Sequence, residues 1–296
     1  MKRVLITGAN SYIGTSFERY VSERYPDELS VDTVDMMNDA WRDKDFSEYD
    51  ICFHVAGIAH ADIGKVSEED KAKYYAVNTD LAIETAKKCK EQGVGQFVFM
   101  SSIIIYGDSA PYGKSKIITV DTKPSPSNFY GDSKWRADVG VRELEDESFY
   151  VTVIRPPFVY GKGCKGNYVN ISKLAKIVPF FPAVKNERSM LYIENLCEFL
   201  AQVMIKGRRG AFWPQNKEYV ATSDLVHLIS CTVGRRIMIT RALNPAVIVL
   251  SHFGGRIGKL TNKAFGSVTI DHSLSEYDFE YSKVDLKKSI EKTEEV

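Results

Sequence analysis

Two hydrophobic rhythms alternate over the first two-thirds of the chain. The run RVLITG is short and apolar and ends in glycine, and YIGTSFERYVSERY follows it with apolar residues at helical spacing. LSVDTVD and YDICFHVAG read as strands, and EEDKAKYYAVNTDLAIETAKKCKEQG as one long amphipathic helix stopped by glycine. QFVFMSS is a further strand, Tyr130 to Leu144 a helix, and YVTVIRPP a strand ended by two prolines. Strands rich in Val, Ile and Phe, separated by helices, predict a parallel sheet covered on both faces. The predicted fold class is α/β, a doubly wound parallel sheet. It occupies residues 1–160, with later strands interleaved. Over 161–296 the loops lengthen and the elements shorten, as in RSMLYIENLCEFLAQVMIKG and SDLVHLISCTVG. This predicts a smaller, mostly helical substrate region closing over the end of the sheet. The tail DLKKSIEKTEEV predicts a final exposed helix.

Composition narrows the function classes. The 296 residues are 44% hydrophobic, enough for a large core, and the 39 basic and 39 acidic side chains cancel. Neither a nucleic-acid surface nor a polybasic membrane anchor is expected from that balance. No apolar run approaches the ~20 residues of a membrane span. MKRVLITGAN enters a strand at once, without a signal-peptide pattern. Cys52, Cys89, Cys164, Cys197 and Cys231 are scattered and form no CxxC pair, so neither a disulfide framework nor a metal site is expected, and the expected location is cytoplasmic. His54, His60, His227, His252 and His272 make no metal or triad pattern, and His54 at a strand end reads as structural.

Chemistry enters at the first turn. VLITGANSYIG places Gly8 and Gly14 between a strand and a helix. Glycine serves where backbone angles are unusual and where the chain must approach a pyrophosphate closely, and the helix that follows aims free N–H groups at that anion. An acid should follow about 20 residues later to bind the adenosine ribose. Asp35 ends its strand run and is preferred to Asp32. A carboxylate there accepts from a 2′-hydroxyl and repels a 2′-phosphate, which favours NAD over NADP.

In order, the chain carries TGANSYIG, Asp35, DF at Asp45–Phe46, HVAGIAH, VNT at Val77–Thr79, SSIIIYG, YGDSK, RPPFVYG and RSMLYIEN. The series resembles the extended short-chain dehydrogenase/reductase superfamily, and within it the NAD-dependent nucleotide-sugar epimerase/dehydratase family. Ser11 stands where many members have a middle glycine. The resemblance implies a Rossmann fold that binds NAD. Gly8, Ser11 and Gly14 would form the turn, with Tyr12 and Ile13 under the pyrophosphate. Asp45 and Phe46 would border the adenine. Val55, Ala56 and Gly57 would line the cofactor, Asn78 would lie behind the nicotinamide, and Ser101 and Pro157 would stand near it. By the same likeness the protein would be a homodimer pairing its two long helices.

The likeness also makes Tyr130 the acid/base, Lys134 its partner and Ser102 the hydrogen-bonding group at the reacting hydroxyl. Physics supports that choice. A free phenol has a pKa of about 10, and a nearby ammonium and a positive nicotinamide both stabilise phenolate. Spacing of four residues puts Tyr130 and Lys134 on one helix face. Ser102 ends a strand, where ligands bind in this architecture. Dehydratases of the family carry an Asp-Glu pair after the catalytic Ser/Thr, whereas here Ile103 and Ile104 follow Ser102. Arg188 resembles a contact to a substrate diphosphate, suited by its charge and planar fork; an ion pair with Glu187 or Glu194 is the alternative. Phe158 stands where many members have a polar substrate contact. The expected activity is 4-epimerisation of a nucleotide sugar, a UDP-hexose or UDP-N-acetylhexosamine. A nucleotide-sugar reductase or dehydrogenase is the second reading and a non-catalytic NAD sensor the third.

Overall fold

The computed structural model describes residues 1–58 and 67–295. Its centre is a six-stranded, all-parallel sheet in the order β10-β6-β4-β3-β1-β2. The strands are β1 (Lys2–Thr7), β2 (Leu29–Val34), β3 (Ile51–His54), β4 (Gln96–Met100), β6 (Tyr150–Ile154) and β10 (Gly210–Phe212). Three short pairs complete the strands: β5 (Ile117–Ile118) with β12 (Thr269–Ile270), β7 (Phe158–Tyr160) with β9 (Met190–Tyr192), and β8 (Phe180–Pro182) with β11 (Met238–Thr240). Helices α1 (Tyr12–Arg24), α2 (Glu68–Tyr75), α3 (Leu81–Glu91), α4 (Phe129–Arg142) and α5 (Asn167–Ala175) occupy the first part. Helices α6 (Ile193–Ile205), α7 (Thr222–Thr232), α8 (Asn244–His252), α9 (Gly255–Phe265) and α10 (Leu286–Glu294) follow.

Strand alternation sorts the core into two layers, since successive side chains point to opposite faces. Val4 and Ile6 face one layer, with Phe17 of α1 and Leu196, Phe199 and Leu200 of α6. Leu5 faces the other, with Ala82, Ala86 and Cys89 of α3 and Ala137 and Val141 of α4. Chain order reverses at β1, which lies between β2 and β3. The crevice beyond the carboxyl ends of β1 and β3 is therefore the switch point where ligands bind in such sheets.

Two segments depart from their patterns. The predicted long helix is divided by a π-helical turn over Ala76–Asp80, which turns Asn78 and Thr79 inward. The tail helix α10 is docked rather than merely exposed. Ser289 and Ile290 are buried, Ser289 hydrogen-bonds Tyr160, and Glu294 accepts from Tyr168 Oη and Ser172 Oγ.

Candidate active site

The glycine turn closes over the end of β1. Gly8 has φ +107°, and a Cβ there would lie 2.8 Å from the backbone nitrogen of Ala56. A Cβ on Gly14 would meet Ser11 Oγ at 2.6 Å and Ile6 Cγ2 at 3.2 Å. Serine replaces the family's middle glycine with a use of its own: Ser11 Oγ caps α1 by accepting from Gly14 N at 3.2 Å. The N–H groups of Tyr12 and Ile13, the first two of the helix, have no intrahelical acceptor and face the switch point. Only the backbone of these two suits a phosphate. The Tyr12 phenol is turned inward, against Gly161 and without a partner among the described residues, and burial pushes its pKa up. The Ile13 side chain packs on the core.

Asp35 follows β2 directly, is exposed, and accepts from Met37 N at 2.8 Å. Asp32 lies further back on the strand, where it accepts from Tyr49 Oη at 3.0 Å. The geometry thus favours Asp35 for a ribose. Asp35→Ala is expected to weaken NAD binding roughly ten- to hundredfold and to narrow the preference over NADP, measured by titrating both cofactors.

Asp45 and Phe46 are a correction. Phe46 is fully buried beside Trp41, and its N–H donates to Gln92 Oε1 at 2.6 Å, just past the end of α3. That helix end lies at the amino edge of the sheet, where Gly95 and Gln96 lead into β4, away from the glycine turn. Asp45 accepts from Ser47 N. The hydrophobic layer needs the Phe46 ring, so the pair closes the core before β3 and does not border an adenine. Met36, which packs on the same layer as Leu81 at the start of α3, lies beside Asp35 instead.

Tyr130 and Lys134 share the inner face of α4, whose first turn is capped by Asn128 accepting from Gly131 N at 3.0 Å. Lys134 is buried. Its Nζ donates to Met100 O at 3.0 Å and lies 5.0 Å from the centre of the Phe99 ring, with no carboxylate within 4.0 Å among the described residues. A Cβ on the exposed Gly57 would lie 3.2 Å from this nitrogen and 3.1 Å from Asn78 Oδ1. Burial lowers the Lys134 pKa to about 8. Half-buried Tyr130 moves the other way: burial first, and then the Tyr74 phenol, raise it to about 12. The protein without NAD therefore holds the phenol above its ordinary value, and the positive nicotinamide is the second of the two charges expected to favour phenolate.

Ser102 follows β4, and its Oγ accepts from Ile104 N at 3.3 Å. Helix α4 is seated on the turn that begins there, since a Cβ on Gly131 would lie 2.9 Å from Ile104 O. Asn78 spends its amide on positioning. Its Oδ1 accepts from Ile58 N at 2.8 Å, and its Nδ2 donates to Ile58 O and Ser133 Oγ, each at 3.1 Å. This fastens the loop through Val55, Ala56 and Gly57 to α4. Ser101 turns away from the crevice and donates to Asp138 Oδ2 at 2.9 Å. Asp138 also takes the Arg155 fork, Nε at 2.9 Å and Nη2 at 2.7 Å. This buried pair, just ahead of buried Pro157, is not anticipated from the sequence. Its one signal is an acid four residues after Lys134, at a position that helical spacing turns inward.

His54 is neutral and structural. Its Nδ1 is 2.8 Å from Thr7 Oγ1, and burial, then the Lys134 charge, lower its pKa to about 3. Ala59 and His60 of HVAGIAH lie outside the described residues. Phe158 is half-buried on β7, paired with Met190 and packed on the core. Arg188 is bridged to Val220 and Val268, and its Nη2 donates to Lys263 O at 2.6 Å. Burial lowers its pKa, and among the described residues no acid lies within 4.0 Å. Glu194 pairs with Lys292, so the alternative ion pair is not formed.

These residues fit a dinucleotide. The free N–H groups of Tyr12 and Ile13 suit a pyrophosphate, Gly8 and Gly57 allow close approach, Asp35 offers an acceptor for a ribose, and Lys134 has protons beyond its one carbonyl. Fold and site define a Rossmann-fold enzyme of the dinucleotide-binding class. Residues 4–212 match the NAD dependent epimerase/dehydratase family, and the chain belongs to it. Its cofactor is NAD.

A UDP-glucose 4-epimerase of Vibrio cholerae is 24% identical over 294 residues, covering 92% of this chain and 88% of its own. An N-acetyl-alpha-D-glucosaminyl-diphospho-ditrans,octacis-undecaprenol 4-epimerase of Escherichia coli O157:H7 is also 24% identical, over 305 residues, with coverage of 95% and 88%. Among solved structures, UDP-glucuronic acid 4-epimerase from Bacillus cereus in complex with NAD superposes with a TM-score of 0.74 at 16% identity, covering 99% of this chain and 97% of that one. A dTDP-4-dehydrorhamnose reductase from Clostridium acetobutylicum gives 0.73 at 16%, with 98% of both chains covered. The relatives support an epimerase/dehydratase-type role on nucleotide sugars.

Proposed function

We propose that the chain is a 4-epimerase of a diphosphate-linked hexose, a UDP-hexose or UDP-N-acetylhexosamine, working through a transient 4-keto sugar. One observation carries the reading. The groups that follow Ser102 are Ile103, Ile104 and the fully buried Ile105, which transfer no protons. Elimination of water needs a second acid and base beside the sugar, and this turn offers neither. Proton traffic then falls to one phenol, which suffices for oxidation and reduction at a single carbon.

When bound, NAD supplies a hydride acceptor and donor, and a positive ring that favours phenolate. Tyr130 Oη takes the proton of the C4 hydroxyl and later returns it. Ser102 Oγ hydrogen-bonds the same oxygen and holds it at the phenol. Lys134 Nζ, held by Met100 O, donates its remaining protons to ribose hydroxyls and adds positive charge beside the phenol. Arg188 binds the substrate diphosphate, leaving the sugar free to turn over between the two half-reactions. Both relatives named above are 4-epimerases, one on a nucleotide sugar and the other on a polyprenyl-diphosphate sugar.

The test uses purified protein without added cofactor, incubated with UDP-glucose, UDP-galactose and their N-acetyl forms and followed by proton NMR. The C4 epimer is expected, with NAD retained through turnover. Conversion only when stoichiometric NADH or NAD⁺ is supplied would replace this reading with a reductase or dehydrogenase.

A further inference from the structure

The helical hairpin α8–α9 has a chemistry that sugar turnover does not use. Between Asp224 and Asp271 the chain has no acidic residue, yet it carries Arg235, Arg236, Arg241, Arg256, Lys259 and Lys263 in a protein of zero net charge. The hairpin also exposes large apolar side chains. Ile248, Val249 and Leu250 on α8, Phe253 at the turn, and Ile257 and Leu260 on α9 are each 41–57% exposed. By contrast, α3 and α4, the helices expected to pair in a dimer, carry none of the large exposed apolar residues.

The two chemistries are arranged in stripes. Ile257 and Leu260, three residues apart, share one stripe of α9, and exposed Lys259 and Lys263, four apart, line the neighbouring one. An apolar stripe beside a cationic one suits a helix lying in the plane of a bilayer interface. No helix among the described residues is long and apolar enough to cross a membrane. The hairpin is also held firmly. Asn262 Nδ2 donates to Ser251 O at 3.0 Å, and its Oδ1 accepts from Tyr112 N at 2.9 Å.

We propose that α8–α9 docks the enzyme onto an anionic lipid bilayer, with its apolar stripe in the headgroup–acyl boundary and its cations on lipid phosphates. Charge selects this occupant. A second copy of the hairpin would set like charges against each other, whereas an anionic headgroup layer neutralises them. The docked helix ends at the substrate site, because Arg188 donates to Lys263 O. Resting on the reading of Arg188 as the diphosphate ligand, this sets the diphosphate site beside the docked face.

Docking is tested without any activity assay. The full chain is sedimented with vesicles of phosphatidylcholine alone, or of an equal mixture with phosphatidylglycerol. Pelleting is expected to be at least about tenfold greater with the mixed vesicles and to fall several-fold as salt rises from roughly 0.1 M to roughly 0.5 M. F253E/I257E changes only exposed side chains. It is expected to lose pelleting while keeping its melting temperature and NAD binding. Equal pelleting with both vesicles, none with either, or pelleting unchanged in F253E/I257E overturns the proposal. So does a protein dimer that this variant dissociates without any vesicle binding by the parent, which would make the face a protein contact.

Discussion

Tyr130→Phe is expected to lower kcat by about 10²–10⁴-fold while NAD stays bound. The variant keeps the ring that packs against Tyr74, so the fold at the start of α4 is preserved. In the proposed mechanism it removes the group that carries the sugar's hydroxyl proton. The pH profile separates this from a packing effect. Burial holds the phenol at about 12 in the protein alone. Positive charge from bound NAD⁺, and from Lys134 while it stays protonated below about 8, lowers it, so kcat of the parent should rise with pH through a midpoint below 12. The residual rate of the Phe variant should lack that step, and Lys134→Met should move the midpoint upward. Parent-like turnover in Tyr130→Phe would remove Tyr130 from the chemistry.

Asp138→Ala is expected to destabilise the protein by about 3–5 kcal/mol, read as a lower denaturant midpoint at unchanged slope. Asp138 is fully buried and holds the Arg155 fork, Ser101 Oγ and, at 2.9 Å, Arg142 Nε. Removing the carboxylate leaves the buried Arg155 charge without its counter-ion, which costs more than the pair itself contributes. Asp138→Asn keeps a partner for the fork without its charge and should fall between. A change under about 1 kcal/mol in the Ala variant would mean that Arg155 finds another partner or water.

What can be read in the sequence is whatever repeats or is punctuated. Val4, Ile6 and Leu5 sort themselves by a period of two, and Gly8 and Gly14 mark the turn because the backbone there admits little else. Tyr130 and Lys134 share a face by spacing alone. Asp45–Phe46 misleads because two residues carry no period, and the apolar demand of the core claims the ring. The π-turn at Ala76–Asp80 is hidden because the helical pattern runs through it, and its cause is tertiary: Asn78 reaching Ile58 and Ser133. Asp138 and Arg155 belong to a helix and a strand end, and only the fold joins them. The raised pKa of Tyr130 is not legible because burial depth is not written in local sequence. The whole-chain charge of zero conceals the acid-free stretch after Asp224, since cancellation over the full length says nothing of where the charges lie.

The late arrival of β10 sets a minimum length for any expressible fragment. Gly210–Phe212 pairs with Thr152–Ile154 of β6 and covers that side of the sheet. A chain cut at residue 160 would present the apolar strand YVTVI as an open edge, a template for pairing with another chain and hence for aggregation. Such a fragment should pellet on expression, whereas one reaching beyond Phe212 pairs Thr152–Ile154 and leaves only the three-residue β10 at that edge.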